Sequence, residues 1–238
     1  MSLESRQIQY GQHVIVFKVE RRERTTLEIA VEPDLSVKIA APQDASNDDI
    51  DAKVRKRAAW IQRQKVYFLQ FLPRTPERRF VSGETHRYLG RQYRLKIRLG
   101  LVDRVRLYRG FIDVETTRPK TPSHIRNLVI DWYKHRARVK FHERLRLSQE
   151  RFAAPEAFAP QSMIIRQLRQ RWGSMSPTNR LVLNTKLIEA PVDAIDYVIT
   201  HELCHIEHRH HGPKFYDLLD RVMPDWRKRK TRLEQYLT

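Results

Sequence analysis

His201-Glu202-Leu203-Cys204-His205 constrains this chain more than any other stretch. On an α-helix, residues i and i+4 project from one face, so two imidazoles can point at one ion. Glu202 follows the first histidine and can reach a water on that ion without binding the ion itself. His211 comes six residues after His205 and offers a third nitrogen. Three protein ligands leave a fourth tetrahedral position open, as a catalytic zinc site requires. With 10 His and 15 Glu in 238 residues, random placement would produce the five-residue pattern roughly 0.03 times. The competing reading is an amphipathic surface helix in a basic protein, and the flanking residues argue against it.

Pro191 and Asp193 are helix-start signals, with Asp193 a candidate N-cap. Ile195, Val198, Ile199 and Leu203 recur at helical spacing and predict a core-facing side. Gly212-Pro213 is expected to break the helix, so that the chain turns and His211 approaches the ion. Phe215, Leu218, Leu219 and Val222 mark another amphipathic helix. Pro224 opens a last, basic helix through Trp226, Leu233 and Tyr236.

Other groups compete for the third ligand position. Glu207 and His210 stand next after His211, and His208 could share the face of His205. His13, His86, His124, His135 and His142 are scattered and read as surface or helix-face residues. Cys204 lies on a different helical face from the two histidines and reads as a small buried residue.

Arg171-Trp-Gly-Ser174, Leu181-Val-Leu-Asn184, the run from Ile195 to His205, and His211-Gly-Pro-Lys-Phe215 together resemble the YgjP-like metallopeptidase family, which is grouped near the M48 and SprT-like gluzincins. The segment Ser82–Leu95 is similar to that family's N-terminal half, so the resemblance covers nearly the whole chain. It implies that His201, His205 and His211 bind zinc and that Glu202 is the general base. Met175 departs from the small residue or cysteine expected after Trp-Gly-Ser. Metzincins share the spacing of the three histidines but carry glycine three residues after the second. Here that position is His208, so the turn is made differently and the chain is not assigned to them.

Zinc lowers the pKa of bound water from 15.7 to about 7 and polarises a carbonyl. Glu202 would accept the water proton and pass it to the leaving amine. Tyr197, Asn184 and Tyr216 are candidate donors to the oxyanion. Asp196, Glu207 and Asp217 are candidate carboxylates for orienting the imidazoles.

The formal charge of +18 is uneven: residues 1–150 carry net +14 and residues 151–238 net +4. Segments such as Arg21–Arg24, Lys53–Arg57, Arg74–Arg79, Arg104–Arg109 and Lys134–Lys140 could hold a nucleic-acid backbone. Alternatively, they form a solvated surface whose arginine stems cover apolar area. A single cysteine rules out an intramolecular disulfide. No apolar run approaches the ~20 residues of a membrane span, and Met1-Ser-Leu-Glu-Ser lacks a hydrophobic signal core. A cytoplasmic location is expected.

Residues 8–40 and 80–116 alternate apolar and polar and predict antiparallel strands, the first set turning at Pro33-Asp34. A helix capped by Asn47 is expected to run to about Leu72 and stop at Pro73 and Pro76. Pro119–Pro122 reads as a linker before a long helix from Ser123, and the Ala/Pro-rich residues 153–160 read as a second linker. Strands near Met163–Leu168 and Arg180–Leu183 should precede the metal helix, with the edge near Arg180–Asn184 free to pair with an extended peptide. No repeat of fixed period is evident. The expected fold class is α+β: an antiparallel, sheet-rich, basic N-terminal lobe (1–120) and a zincin-like C-terminal lobe (121–238) with helices around a small sheet. The expected function is a zinc metallopeptidase acting on peptides or unfolded proteins. The alternatives are a zinc-dependent nucleotide phosphohydrolase, a protease recruited to DNA, and a DNA-binding module with a structural, four-ligand metal.

Overall fold

The computed structural model describes residues 4–32, 34–69, 78–118, 121–168 and 171–237. Expectations resting on Pro33, on Pro73 and Pro76, and on Pro119 lie outside them, as does the side chain of Tyr236. The fold is α+β, with five α-helices and three small sheets among the described residues. It divides into two compact units, residues 1–75 and 76–237. That division falls well before the Pro119–Pro122 segment at which the sequence suggested a lobe boundary.

The first unit holds strands β1 (Glu4–Tyr10), β2 (His13–Arg22), β3 (Glu28–Val31) and β4 (Val37–Pro42), then helix α1 (Asn47–Leu69). The strand order is β1-β2-β4-β3. β1/β2 and β3/β4 are antiparallel hairpin pairs, but β2 and β4 run parallel, so the sheet is mixed rather than antiparallel throughout. Alternation reports which face is buried and is blind to the direction of the neighbouring strand. Ile15, Phe17, Val19, Val37 and Ile39 form the buried face, against Ile50, Val54, Ala58 and Ile61 of α1. The cap of α1 is Ser46 rather than Asn47: its hydroxyl accepts from the Asp49 amide at 3.1 Å, while Asn47 accepts from Arg21.

The second unit begins with the same topology. Strands β5 (Thr85–Tyr88), β6 (Arg91–Leu99), β7 (Arg104–Tyr108) and β8 (Phe111–Thr116) are ordered β5-β6-β8-β7, with β6/β8 parallel and both hairpins antiparallel. A long helix, α2 (Pro122–Gln149), follows. The repeat is thus one of architecture, four strands and a helix, without a sequence period to announce it. At the β5/β6 turn, Gly90 has φ +78°, and a β-carbon there would lie 2.9 Å from Pro191, so both conformation and space demand glycine.

α2 buries Ile125, Val129, Tyr133, Ala137 and Phe141 at four-residue spacing against Leu95, Ile112 and Val114 of the sheet and against the metal-motif helix. The 80–116 sheet therefore shares its core with the C-terminal helices. Residues 153–160 are not a linker either. Pro155–Phe158 form a 3-10 turn, and Phe158 stacks on Phe152 at 4.0 Å inside that core.

The third sheet has β9 (Ser162–Arg166), β10 (Gly173–Met175) and β11 (Arg180–Asn184) in the order β10-β11-β9. Its central strand is β11, paired on both sides, so the expected free edge at Arg180–Asn184 is corrected to β10. Helices α3 (Val192–Glu207), α4 (Pro213–Val222) and α5 (Trp226–Leu237) complete the chain.

Candidate metal centre

Ten residues of α3 are buried, including Ile195, Val198, Ile199 and Leu203 as the periodicity predicts, so one side of the helix is locked in the core. The other side presents His201 and His205. The helix ends at Glu207 because His208 takes up extended backbone angles (φ −121°, ψ 100°). Gly212-Pro213 does not break it; these residues start α4, with Pro213 in its first turn. Residues 208–212 carry His211 back to the helix. Arg209 ties this loop down, donating to the carbonyls of Ser176 (2.9 Å) and Pro177 (3.2 Å) and to Asn179 Oδ1 (2.7 Å).

His201, His205 and His211 each offer a ligand atom, all within 4.8 Å of one another. His211 Nε2 lies 3.0 Å from His201 Nε2. Two nitrogens sharing a tetrahedral zinc at about 2.0–2.1 Å would lie roughly 3.3 Å apart, so the donor set fits that ion. His205 Nδ1 lies 2.9 Å from the His208 carbonyl, to which it can donate, leaving Nε2 as its free acceptor. Burial, helped by His205 and His211, pulls the His201 imidazole down to about 3, so its nitrogens are neutral. Burial likewise lowers His211. His201 Nδ1 is buried and has no partner among the described residues. Glu207 and His210 are not part of the group. Glu207 pairs instead with His208 Nε2 at 3.2 Å, and no fourth His, Cys, Asp or Glu joins among the described residues.

Phe215, fully buried, forms a floor beneath all three imidazoles, with ring centroids 4.6–5.0 Å away. In the sequence Phe215 is an apolar helix position and the last residue of the His211–Phe215 run that resembles the family, and neither property marks it as a floor. Its place four residues after His211 was the available signal.

Glu202 is buried, and its carboxyl is pushed up to about 7 by that burial, against the pull of a hydrogen bond with the Met175 backbone and of nearby Arg171. Gly173 lies directly against it, where a β-carbon would come within 2.9 Å of Glu202 Cγ. Met175 contributes through its backbone, which explains why its side chain can depart from the expected small residue.

Several candidates have other employment. Asn184 donates to the carbonyls of Leu168 and Arg171 at 3.0 Å each and accepts from the Lys186 amide, so it pins the segment leading into β10 and has no donor left for an oxyanion. Asp196 takes a bidentate bond from Arg144 (2.6 and 2.7 Å), with Arg151 and Arg229 at 3.7 Å, and orients no imidazole. Asp217 is exposed and outside the histidine group. Tyr197 is buried, stacked on Trp226 and edge-on to His201 at 5.7 Å. Tyr216 is 38% exposed, with its ring 6.2 Å from His211. Cys204 is fully buried, its thiol pushed up to about 12 by burial. His86 is a core residue rather than a surface one, with Nε2 2.9 Å from Glu84.

A helix that offers two histidines and a buried glutamate, met by a third histidine from the following loop, is the working element of the metallopeptidase class. The chain belongs to one family of that class: the model of the YgjP-like, metallopeptidase domain matches residues 25–236. No curated protein matches the chain.

Proposed function

We propose that the chain is a zinc peptidase in which His201, His205 and His211 hold the ion and Glu202 is the general base. The observation that carries this is the buried Glu202 carboxyl, next in the chain to His201, whose imidazole converges with those of His205 and His211. A zinc ion held by that set supplies Lewis acidity and makes a water molecule a stronger acid. Glu202, with a proton affinity poised near neutrality, takes the water proton and returns it to the leaving amine nitrogen. The free edge of β10 runs past this carboxyl at Gly173 and Met175, and an extended peptide pairs along it. Of the three candidate oxyanion donors, Tyr216 is the one with an exposed ring beside His211. No described helix is long and apolar enough to cross a membrane, and the lone buried thiol suits the reducing cytoplasm assigned in this reading.

A second reading, phosphoanhydride hydrolysis of a nucleotide, draws on the net charge of +14 over residues 1–150, which would attract an anionic substrate. The deciding experiment joins metal analysis to assays of Glu202→Gln on casein and on nucleoside triphosphates. Zinc retained with casein cleavage down by about 10²–10⁴-fold is expected. Full casein cleavage with zinc bound removes Glu202 as the base. Chelator-sensitive phosphate release without proteolysis supports the second reading.

A further inference from the structure

The outward face of the β5–β8 sheet carries the Arg104–Arg109 cluster, which the metal centre leaves unused. The strand register arranges this face in rows. Arg94, Phe111 and Tyr108 lie side by side on β6, β8 and β7, and the next row is Lys96, Asp113 and Arg106. A third row sets Glu115 between Arg98 and Arg104. The opposite face of the same strands is the core, with Leu95, Ile112 and Val114.

Asp113 and Glu115 are buried beneath arginines. Arg98 and Arg106 bond to Asp113, and Arg98 and Arg104 bond to Glu115, yet the three arginine side chains remain 38–51% exposed. Their guanidiniums are held in place and still face solvent. On β6, β7 and β8 this face and its hairpin tip carry six cations against two carboxylates. At the tip, Arg109 and Gly110 both have positive φ (48° and 79°), the signature of a two-residue type I′ turn. This turn sets Tyr108 directly opposite Phe111. Both rings are open, at 44% and 38% exposure. Arg106 and Arg109 stand 4.5 and 5.2 Å from the Tyr108 centroid, and Lys96 stands 5.8 Å from that of Phe111.

A solvated cationic surface accounts for the arginines but not for two neighbouring open rings among them. Topology does not account for them either: the first sheet has the same strand order and presents Gln7, Gln9, Val14 and Val16 on its outward side. A sheet face with exposed aromatics and surrounding cations matches one polyanion in particular. Unpaired bases offer π-faces for stacking, which a duplex hides, and the phosphates between them take the cations.

We infer that this face binds a single-stranded nucleic acid, with two or three bases stacked at Tyr108 and Phe111 and phosphates at Arg94, Lys96 and Arg104. The inference is independent of the metal-centre reading, and binding is measured with a chelator present. The probe is a fluorescent oligothymidylate of about a dozen nucleotides, read by anisotropy on the full chain at low salt. Tyr108→Ala and Phe111→Ala should each weaken binding about 5- to 100-fold. The log–log salt slope should be about −2, as three phosphates on a single strand give. A duplex of the same length should bind more weakly. Because both rings are exposed, thermal midpoints should hold. Should either alanine variant fail to fold, Arg94→Gln with Lys96→Gln must show the loss instead. Absence of binding at low salt overturns the inference. So does binding that ignores both rings, and so does equal capture of duplex or of phosphatidylserine vesicles, which would reduce the face to an unspecific cationic surface.

Discussion

Gly173 and Glu202 are in contact across the β10–α3 boundary: a β-carbon on Gly173 would sit 2.9 Å from Glu202 Cγ and 3.1 Å from Oε1. It would also come 3.1 Å from Val198 Cγ1, so two side chains of α3 crowd the position. Glycine is required here by its neighbours, since its φ is not in the left-handed region. Strand β10 thus shapes the position of the carboxyl twice, by contact at Gly173 and by the hydrogen bond with the Met175 backbone.

Gly173→Ala should displace Glu202 while leaving the three histidines alone. We expect casein cleavage to fall by about 10²-fold, as a shift of order 1 Å in a catalytic group does, with zinc stoichiometry unchanged. Wild-type kcat/KM in this variant would show that the contact does not position the base.

Arg209 anchors the loop that returns His211 to α3 through three bonds to the β10–β11 turn. Arg209→Ala should weaken zinc binding by about 10-fold, within the range for residues that orient ligands, and Arg209→Lys should recover part of it. His211→Ala should lose more. Chelation of the wild-type protein should lower its thermal midpoint, since a ligand at about 100 times its Kd stabilises by about 2.7 kcal/mol. Calorimetric zinc titration of the four proteins, each purified metal-free, tests the order.

Arg144 holds the buried carboxylate of Asp196 on α3. Removing it leaves Asp196 with two arginines at 3.7 Å only. Arg144→Ala should cost about 2–3 kcal/mol, below the usual loss for a broken buried pair because those arginines remain. The unfolding transition of residues 76–237 reports it. Unchanged stability would mean that Arg151 and Arg229 suffice.

Burial pulls the His86 imidazole from its usual 6.5 to about 4, with Arg78 adding to the effect and Glu84 opposing it. The folded state therefore binds its proton less tightly than the unfolded chain does. The stability from neutral His86 is complete above pH 6.5 and declines as pH falls toward 4, by up to about 3 kcal/mol. Glu84, held below its ordinary value mainly by the Arg79 and Phe80 amides acting against burial, extends the acid loss below pH 4.5. His86→Gln should flatten the pH 6.5–4 limb in urea titrations and leave the lower limb. An unaltered upper limb would place the proton uptake elsewhere.

The helix carrying His201, Glu202 and His205 was legible because helical periodicity and an i, i+4 ligand pair are local properties, written within sixteen residues. Spacing left His211 among several candidates, and the family resemblance put it first. The buried faces of the strands followed from alternation, which persists whatever the strands pair with. Local patterning was therefore enough for the α+β class, the polar cluster on one helix face and the family resemblance that the YgjP-like match bears out. The parallel pairing of β2 with β4, the central position of β11 and the four-strand repeat depend on contacts between distant segments, for which single-sequence alternation carries no sign of direction. The same holds for the bonds of Asn184 to Arg171 and of Asp196 to Arg144, whose partners lie 13 and 52 residues away, and for the burial of His86. That Gly173 and Met175 reach Glu202, that Arg209 secures the His211 loop and that Phe215 floors the histidines comes from the folded core alone. Packing sets those distances, and packing is a property of the assembled core.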